Sequence, residues 1–324
     1  MKDFALTANG VTKKDFLGII DSHSHLWIED ITSGYKKKDL KFIVDDFSII
    51  KEELKKFKND DIDSISNGYA TIIDCQPWGC GRNGNKLFEL SKISGVNIIS
   101  VTGFHKKEYY PSDSPIWKMS RKDAAKFFSS EVENGLIETS DTNYQGSKIK
   151  AGAIKIAFIG DLKDQYSILT EAAIDASLLT GAPLIVHTER GLGVEKLVSF
   201  FKKKEISFSK IMLCHMDKRA DIEFHRYLAD KSIYLEYDTF MRSKYKPDKN
   251  VWPLLIKMVR EGYSGSIMIG SDLASNSSWK TINSEKGLSG FFKNIVERLA
   301  SLDIDTADIE NIIKKNAQNF LCFN

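Results

Sequence analysis

A single (β/α)8 barrel, the TIM barrel, is the fold class this sequence predicts, and three observations predict it. Eight short apolar runs rich in Ile and Val punctuate the chain. Most read as continuous rather than alternating, the pattern of parallel strands covered on both faces. Amphipathic stretches of helix length separate them. The length, 324 residues, is close to that of a barrel built as one domain. Residues 1–324 are therefore read as one domain, with 1–17 as a short lead-in. A doubly wound open sheet is the alternative. Its dinucleotide-binding form is disfavoured, because no G-x-G-x-x-G follows the first run.

The runs, in order, are Ile19–His25, Ala70–Gln76, Asn97–His105, Ala153–Phe158, Pro183–Thr188, Lys210–Met216, Ile233–Thr239 and Ser266–Asp272. Helices are expected over Ile168–Thr180, stopped by Gly181, and over Val194–Lys204, where Leu197, Val198 and Phe201 share a face. Val251–Glu261, Phe291–Leu299 and Ile309–Phe320 follow. Lysines near several helix C-termini suit the helix dipole. The longest irregular stretch, about Glu108–Ser120, holds Pro111 and Pro115 and reads as a loop over the active face. No internal repeat or low-complexity linker is evident.

Composition excludes several classes. Charged residues make up 28% of the chain, but the net charge is only +2. A nucleic-acid footprint needs a concentrated basic face. The runs Lys36-Lys37-Lys38 and Lys202-Lys203-Lys204 are short and read as solvated surface. Cys75, Cys80, Cys214 and Cys322 form no C-x-x-C pair, which suits a reducing compartment. The N-terminus lacks the apolar core of a signal peptide, and no stretch approaches the ~20 apolar residues of a membrane span. A cytoplasmic protein without nucleic-acid or membrane partners is expected.

The chemistry lies at the strand ends. The first run closes in DSHSH, with His23 and His25 one residue apart and hence on one strand face. His187 ends the fifth run, His215 the sixth and Asp272 the eighth, while Lys155 sits inside the fourth. Each has an ordinary explanation taken alone. A strand-end histidine can be a hydrogen-bonded core residue, Lys155 can carry its charge to the rim, and Asp272 can cap a helix. As a set they occupy matching heights on five strands, at the rim where barrel active sites lie. Imidazole and carboxylate groups suit zinc, manganese, iron or nickel. Lysine fits only after losing its proton, as a buried lysine can. The neutral amine can then take up carbon dioxide, and the resulting anionic carbamate can bridge two cations.

The stretches DSHSH, GAIKIAF, LIVHTERG, MLCHMDKRAD and IMIGSDLA together resemble the phosphotriesterase-related family of the amidohydrolase superfamily, over about Gly18 to Asn319. The resemblance implies a binuclear metal-dependent hydrolase. His23, His25 and Asp272 would hold the more buried ion, and His187 and His215 the more exposed one. N6-carboxylated Lys155 and a hydroxide would bridge them. Zinc is the first expectation for both ions, with manganese, cobalt or iron as alternatives. Asp272 would act as general acid/base for the attacking hydroxide. The middle residue of the His-x-His pair, Ser24, is smaller than is usual in the family, but its side chain should point away from the ions.

The substrate expectation rests on the stretch TFMRSKYKPD, residues 239–248, and on Lys218 and Arg219. Arg242, Lys244, Tyr245 and Lys218 suit a phosphate group on one rim. A solvated loop is the ordinary alternative. The R-x-K-Y spacing resembles the branch of the family that hydrolyses phosphorylated furanose lactones. A sugar lactone phosphate is therefore the expected small-molecule substrate. A phosphotriesterase or neutral acyl-homoserine lactone hydrolase is the alternative, and a non-catalytic metal-binding barrel a distant one. His105 is a candidate substrate contact. His225, in the helical run DIEFHRYLAD, reads as structural or solvated, and Cys214 as pointing to the opposite face. The resemblance also implies a homodimer.

Overall fold

The computed structural model describes residues 3–31, 42–62, 65, 68–139, 149–282 and 287–323. The Lys36-Lys37-Lys38 run lies outside them. The lead-in holds an antiparallel hairpin, β1 (Phe4–Thr7) and β2 (Gly10–Lys13). Eight parallel strands then follow in chain order: β3 (Ile19–Ser24), β4 (Ala70–Asp74), β5 (Asn97–Gly103), β6 (Ala151–Phe158), β7 (Leu184–Thr188), β8 (Ile211–Leu213), β9 (Tyr234–Tyr237) and β10 (Ile267–Ile269). Each hydrogen-bonds to the next. Between them lie the helices of a (β/α)8 barrel.

The seam between β3 and β10 is closed by specific bonds. Ser22 Oγ donates to the Ile269 carbonyl at 2.7 Å, and Ser271 Oγ to Asp21. The Asp272 N–H donates to the His23 carbonyl at 2.7 Å, and the His25 N–H to the Leu273 carbonyl at 3.0 Å. The first and last strands therefore join at the height where His23, His25 and Asp272 stand.

Two sets of apolar side chains follow from strand alternation. Ile20, Ile73, Ile99, Val101, Ala153, Ile185, Met212 and Met268 fill the barrel interior. Their neighbours, such as Ile72, Ile98, Ile154, Val186 and Ile269, face the helix layer. Helices sit where local chemistry starts and stops them. Asp46, Asn83, Ser120 and Asp221 accept backbone N–H bonds at the starts of Phe47–Phe57, Gly84–Ser94, Arg121–Glu133 and Ile222–Ala229. Gly181, at φ 77°, ends Asp164–Thr180 in the left-handed conformation that glycine adopts without strain.

Helices Val194–Lys203, Val251–Arg260 and Phe291–Ala300 match their expected spans to within a residue. The final stretch begins earlier than expected and divides into Thr306–Glu310, a wider turn over Asn311–Lys315, and Asn316–Leu321. Lys204 pairs with Glu171 at 2.9 Å on the helix surface. The irregular stretch after β5 forms two short 3-10 turns, Lys107–Tyr109 and Pro115–Lys118. The sixth and eighth strands are shorter than their apolar runs. His215 and Asp272 therefore stand beyond the strand ends, in left-handed backbone conformations at φ 65° and 46°.

Candidate metal centre

Four imidazoles, one lysine and one aspartate converge at the C-terminal mouth of the barrel. On β3, the register shifts between Asp21 and Ser24. The shift turns His23 inward, although Ile20 on the same strand already faces inward. His23 and His25 then bring their rings to 5.6 Å between centroids. Lys155 shares an inward face with Ala153 and is fully buried, with Nζ 3.3 Å from His23 Nε2. Gly103 on β5 lets the β6 backbone close in, because a side chain there would strike the Lys155 carbonyl oxygen. Asp272 Oδ1 lies 3.9 Å from His23 Nε2 and 4.0 Å from His25 Nε2. His187 Nδ1 and His215 Nε2 face each other at 2.9 Å.

The other nitrogen of each imidazole is engaged from behind. His23 Nδ1 faces Glu236 Oε2 at 3.4 Å, and His25 Nδ1 faces Gln76 Oε1 at 2.8 Å. His187 Nε2 faces Glu189 Oε1 at 3.2 Å, and His215 Nδ1 contacts Asp238 Oδ2. An acceptor behind one ring nitrogen places the proton there and leaves the lone pair on the other. This is how metal-binding histidines are held in proteins. The remaining nitrogens face one another or Lys155: His23 Nε2 lies 3.3 Å from Lys155 Nζ, and His187 Nδ1 lies 2.9 Å from His215 Nε2. Among the described residues, the donor atoms of His23, His25 and Asp272 lie within 4.8 Å of one another, and so do those of His23, His215, Glu236 and Asp238. The residues present thus fit divalent-metal binding at this mouth.

Electrostatics keep the ligands in binding form. Burial holds His25 at about 4 and His187 at about 3, and pushes His23 well below the usual imidazole range. All three are neutral near pH 7. Burial opposes ionisation of Asp272, but Arg242, together with His215 and Lys218, outweighs it and holds the carboxyl below its ordinary value. Lys155 departs from the sequence expectation. Burial pushes its ammonium down, yet Cys75, Cys214, Asp272 and Glu236 raise it above the ordinary lysine value. In the chain without metal, burial alone does not strip its proton; of these neighbours Asp272 is the one held ionised, since burial raises the Cys75 and Cys214 thiols and the Glu236 carboxyl above their ordinary values.

The cavity above this centre is lined by His23, His25, His187, His215 and Asp272 together with Arg242, Lys218, Lys244 and Tyr245. Arg242 Nη2 pairs with Asp272 Oδ2 at 2.7 Å and also donates to the Asp272 carbonyl. Lys218 pairs with Asp238 Oδ1 at 3.2 Å and lies 5.5 Å from the Tyr245 ring, and Lys244 lies 4.9 Å from the same ring. His105 also lines the cavity, with its ring 5.0 Å from that of His187. Its Nδ1 accepts the Lys106 N–H at 2.7 Å. Tyr109, from the irregular stretch, forms part of the wall. His225 is structural, bonded to Tyr237 Oη and to the Arg219 carbonyl.

One orientation differs from expectation. Cys214 packs into the interior cluster beneath the site rather than away from it. The left-handed turn at His215 breaks the simple alternation that the expectation assumed. Sequence reasoning also missed the supporting acceptors Gln76, Glu189, Glu236 and Asp238. A signal for two of them was present: YLEYDT carries Glu236 and Asp238 one residue apart in a run read as a buried strand.

A family profile described as the Phosphotriesterase family matches residues 4–321. A phosphotriesterase homology protein of Escherichia coli is 23% identical over 311 residues, covering 94% of this chain and 98% of that protein. A phospho-furanose lactonase of Mycoplasmopsis synoviae is 27% identical over 336 residues, covering 99% of this chain and 92% of that protein. The crystal structure of a lactonase from Listeria monocytogenes superposes with a TM-score of 0.85 at 21% identity, covering 99% of each chain. With its profile match running nearly end to end, this chain belongs to the phosphotriesterase family.

Proposed function

We propose that this chain is a metal-dependent hydrolase that opens a phosphorylated furanose lactone. The observation that carries the metal-dependent part is the set of four imidazoles, each backed at one nitrogen by an acceptor, gathered around Lys155 and Asp272. The lactone part is supported by the similarity to a protein named phospho-furanose lactonase. The phosphate part is supported by Lys218, Arg242, Lys244 and Tyr245 on the cavity wall.

In this reading His23, His25 and Asp272 would hold one ion, His187 and His215 a second, and N6-carboxylated Lys155 would serve as a ligand to them. Carboxylation forms a bond from the neutral Nζ to the carbon of carbon dioxide and releases a proton. Two divalent ions, zinc by preference, supply Lewis acidity toward the carbonyl oxygen and acidify a water. The residues do the rest. Asp272 accepts a proton from the nucleophile and returns it to the ring oxygen as the ester bond breaks. Arg242 keeps the Asp272 carboxylate ionised and oriented. Lys244, Tyr245 and Lys218 hold the distal phosphate, with the N–H groups of Arg242 that Asp272 does not use. His105 contacts the substrate from the wall beside His187.

The test is a rate assay on metal-loaded protein with sugar lactones, each with and without its phosphate. Fast opening that depends on the phosphate is expected, and Lys244→Ala should raise KM for the phosphorylated member alone. Equal rates on both forms would remove the phosphate clamp and favour neutral lactones or phosphotriesters. No opening of any lactone would overturn the reading.

A further inference from the structure

We propose that Glu236 is a positioning residue that locks ligand imidazoles of the two ion positions into one unit; the proposal rests on the metal-site reading above. The Glu236 side chain is fully buried. Its Oε2 accepts the His215 backbone N–H at 3.0 Å and lies 3.4 Å from His23 Nδ1. His23 belongs to the inner half of the ligand set and His215 to the outer half. They sit on β3 and after β8, strands that are not neighbours. One oxygen atom therefore spans the interval between the two halves.

The other oxygen shows that space was reserved for this carboxyl. Glu236 Oε1 has no hydrogen-bond partner among the described residues. It fills the position that a side chain at residue 270 would take. A Cβ on Gly270 would lie 2.3 Å from Oε1 and 2.7 Å from the His23 Cβ. A buried polar atom without a partner is costly, and a buried unsatisfied group in a folded protein calls for a reason. Packing alone is not that reason, because an apolar side chain of similar volume would fill the space without the cost. The gain lies on Oε2. Held by that oxygen, His23 keeps its proton on Nδ1 and its lone pair on Nε2. The same oxygen anchors His215, whose left-handed backbone has to stay fixed for its ring to face His187.

The test reads metal binding on the full chain, by chelator competition and by the absorption spectrum with cobalt(II) as the probe. Glu236→Ala should weaken cobalt binding about tenfold or more and alter the spectrum. Glu236→Gln keeps an acceptor oxygen beside His23 and His215, so it should recover the unaltered spectrum and most of the affinity. Should Glu236→Ala fail to fold, the contrast between Glu236→Gln and Glu236→Leu carries the same expectation. Unchanged affinity and spectrum in Glu236→Ala would overturn the proposal. So would a Glu236→Leu variant that recovers both as fully as Glu236→Gln, because packing would then suffice. If the unaltered chain takes up no divalent ion, the metal-site reading fails and Glu236 has no ligands to position. If the unaltered chain takes up two ions and the variants do so equally well, only the role of Glu236 fails.

Discussion

Lys155 is the residue on which the proposed chemistry turns, and its surroundings make a sharp expectation. Its Nζ lies 3.3 Å from His23 Nε2 with no exposed surface. Lys155→Ala should lose at least one of the two ions and most of the activity, and short carboxylic acids should restore part of it by standing in for the carbamate. Metal analysis with and without added acetate or propionate checks this; full metal content in the alanine variant would remove the bridge. Asp74 gives an independent expectation from acid–base linkage. It accepts the backbone N–H groups of Leu26, Trp27 and Gln76 and so fixes the turn that follows His25. Burial holds its carboxyl at about 7, against about 3.9 in an unfolded chain. The folded state therefore keeps the extra proton between those values. The stability this contributes is full below the lower value and is lost as pH rises toward the upper one, by at most about 1.4 kcal/mol per pH unit. Asp74→Asn should lower stability by about 1–3 kcal/mol. It should also flatten the fall in Tm between pH 5 and 7 in metal-free protein, measured side by side with the unaltered chain.

Between elements, the strongest tie away from the site is a buried ion cluster. Arg82 pairs with Glu131 at 2.5 Å and with Glu138 at 2.6 Å, and it donates to the Val101 carbonyl on β5 at 2.7 Å. Glu138 in turn accepts the Gly84 N–H at the start of the next helix, and Glu131 the Ile137 N–H. One guanidinium thus joins two helices and a strand. Arg82→Met should cost about 3–5 kcal/mol in urea unfolding, because it leaves the buried Glu131 and the partly buried Glu138 carboxylates without their partner. At this scale the sequence was unevenly legible. Ile- and Val-rich runs located all eight barrel strands, since burial on both faces leaves a continuous apolar record. The candidate metal-binding set was legible because histidine, lysine and aspartate are conspicuous at the ends of such runs. Three features left no comparable record. The hairpin β1–β2 is short and half exposed. The register shift in β3 and the left-handed turns at His215 and Asp272 are backbone events that side-chain periodicity does not encode. Gln76 and Glu189 gain meaning only once the fold sets them behind a histidine.

For the molecule as a whole, binding at one rim should govern stability. Ions that bind the folded chain and not the unfolded one stabilise it by about 2.7 kcal/mol at a hundredfold excess over Kd. Added zinc or cobalt should therefore raise Tm by several degrees, and a strong chelator should reverse it, both read by calorimetry. Metal-independent Tm would speak against occupied sites at working concentrations. Among the described residues, no helix is long and apolar enough to cross a membrane. The seam between β3 and β10 carries a further consequence. Ser271 and Asp21 lie 250 positions apart, yet they bond directly beside the ligands. During synthesis on a ribosome, five of the six ligand residues emerge while the sheet still lacks its last strand. The nascent chain can gather histidines but cannot shut the ring that sets Asp272 against them. The site as proposed can then be completed only after the C-terminal strand has been released.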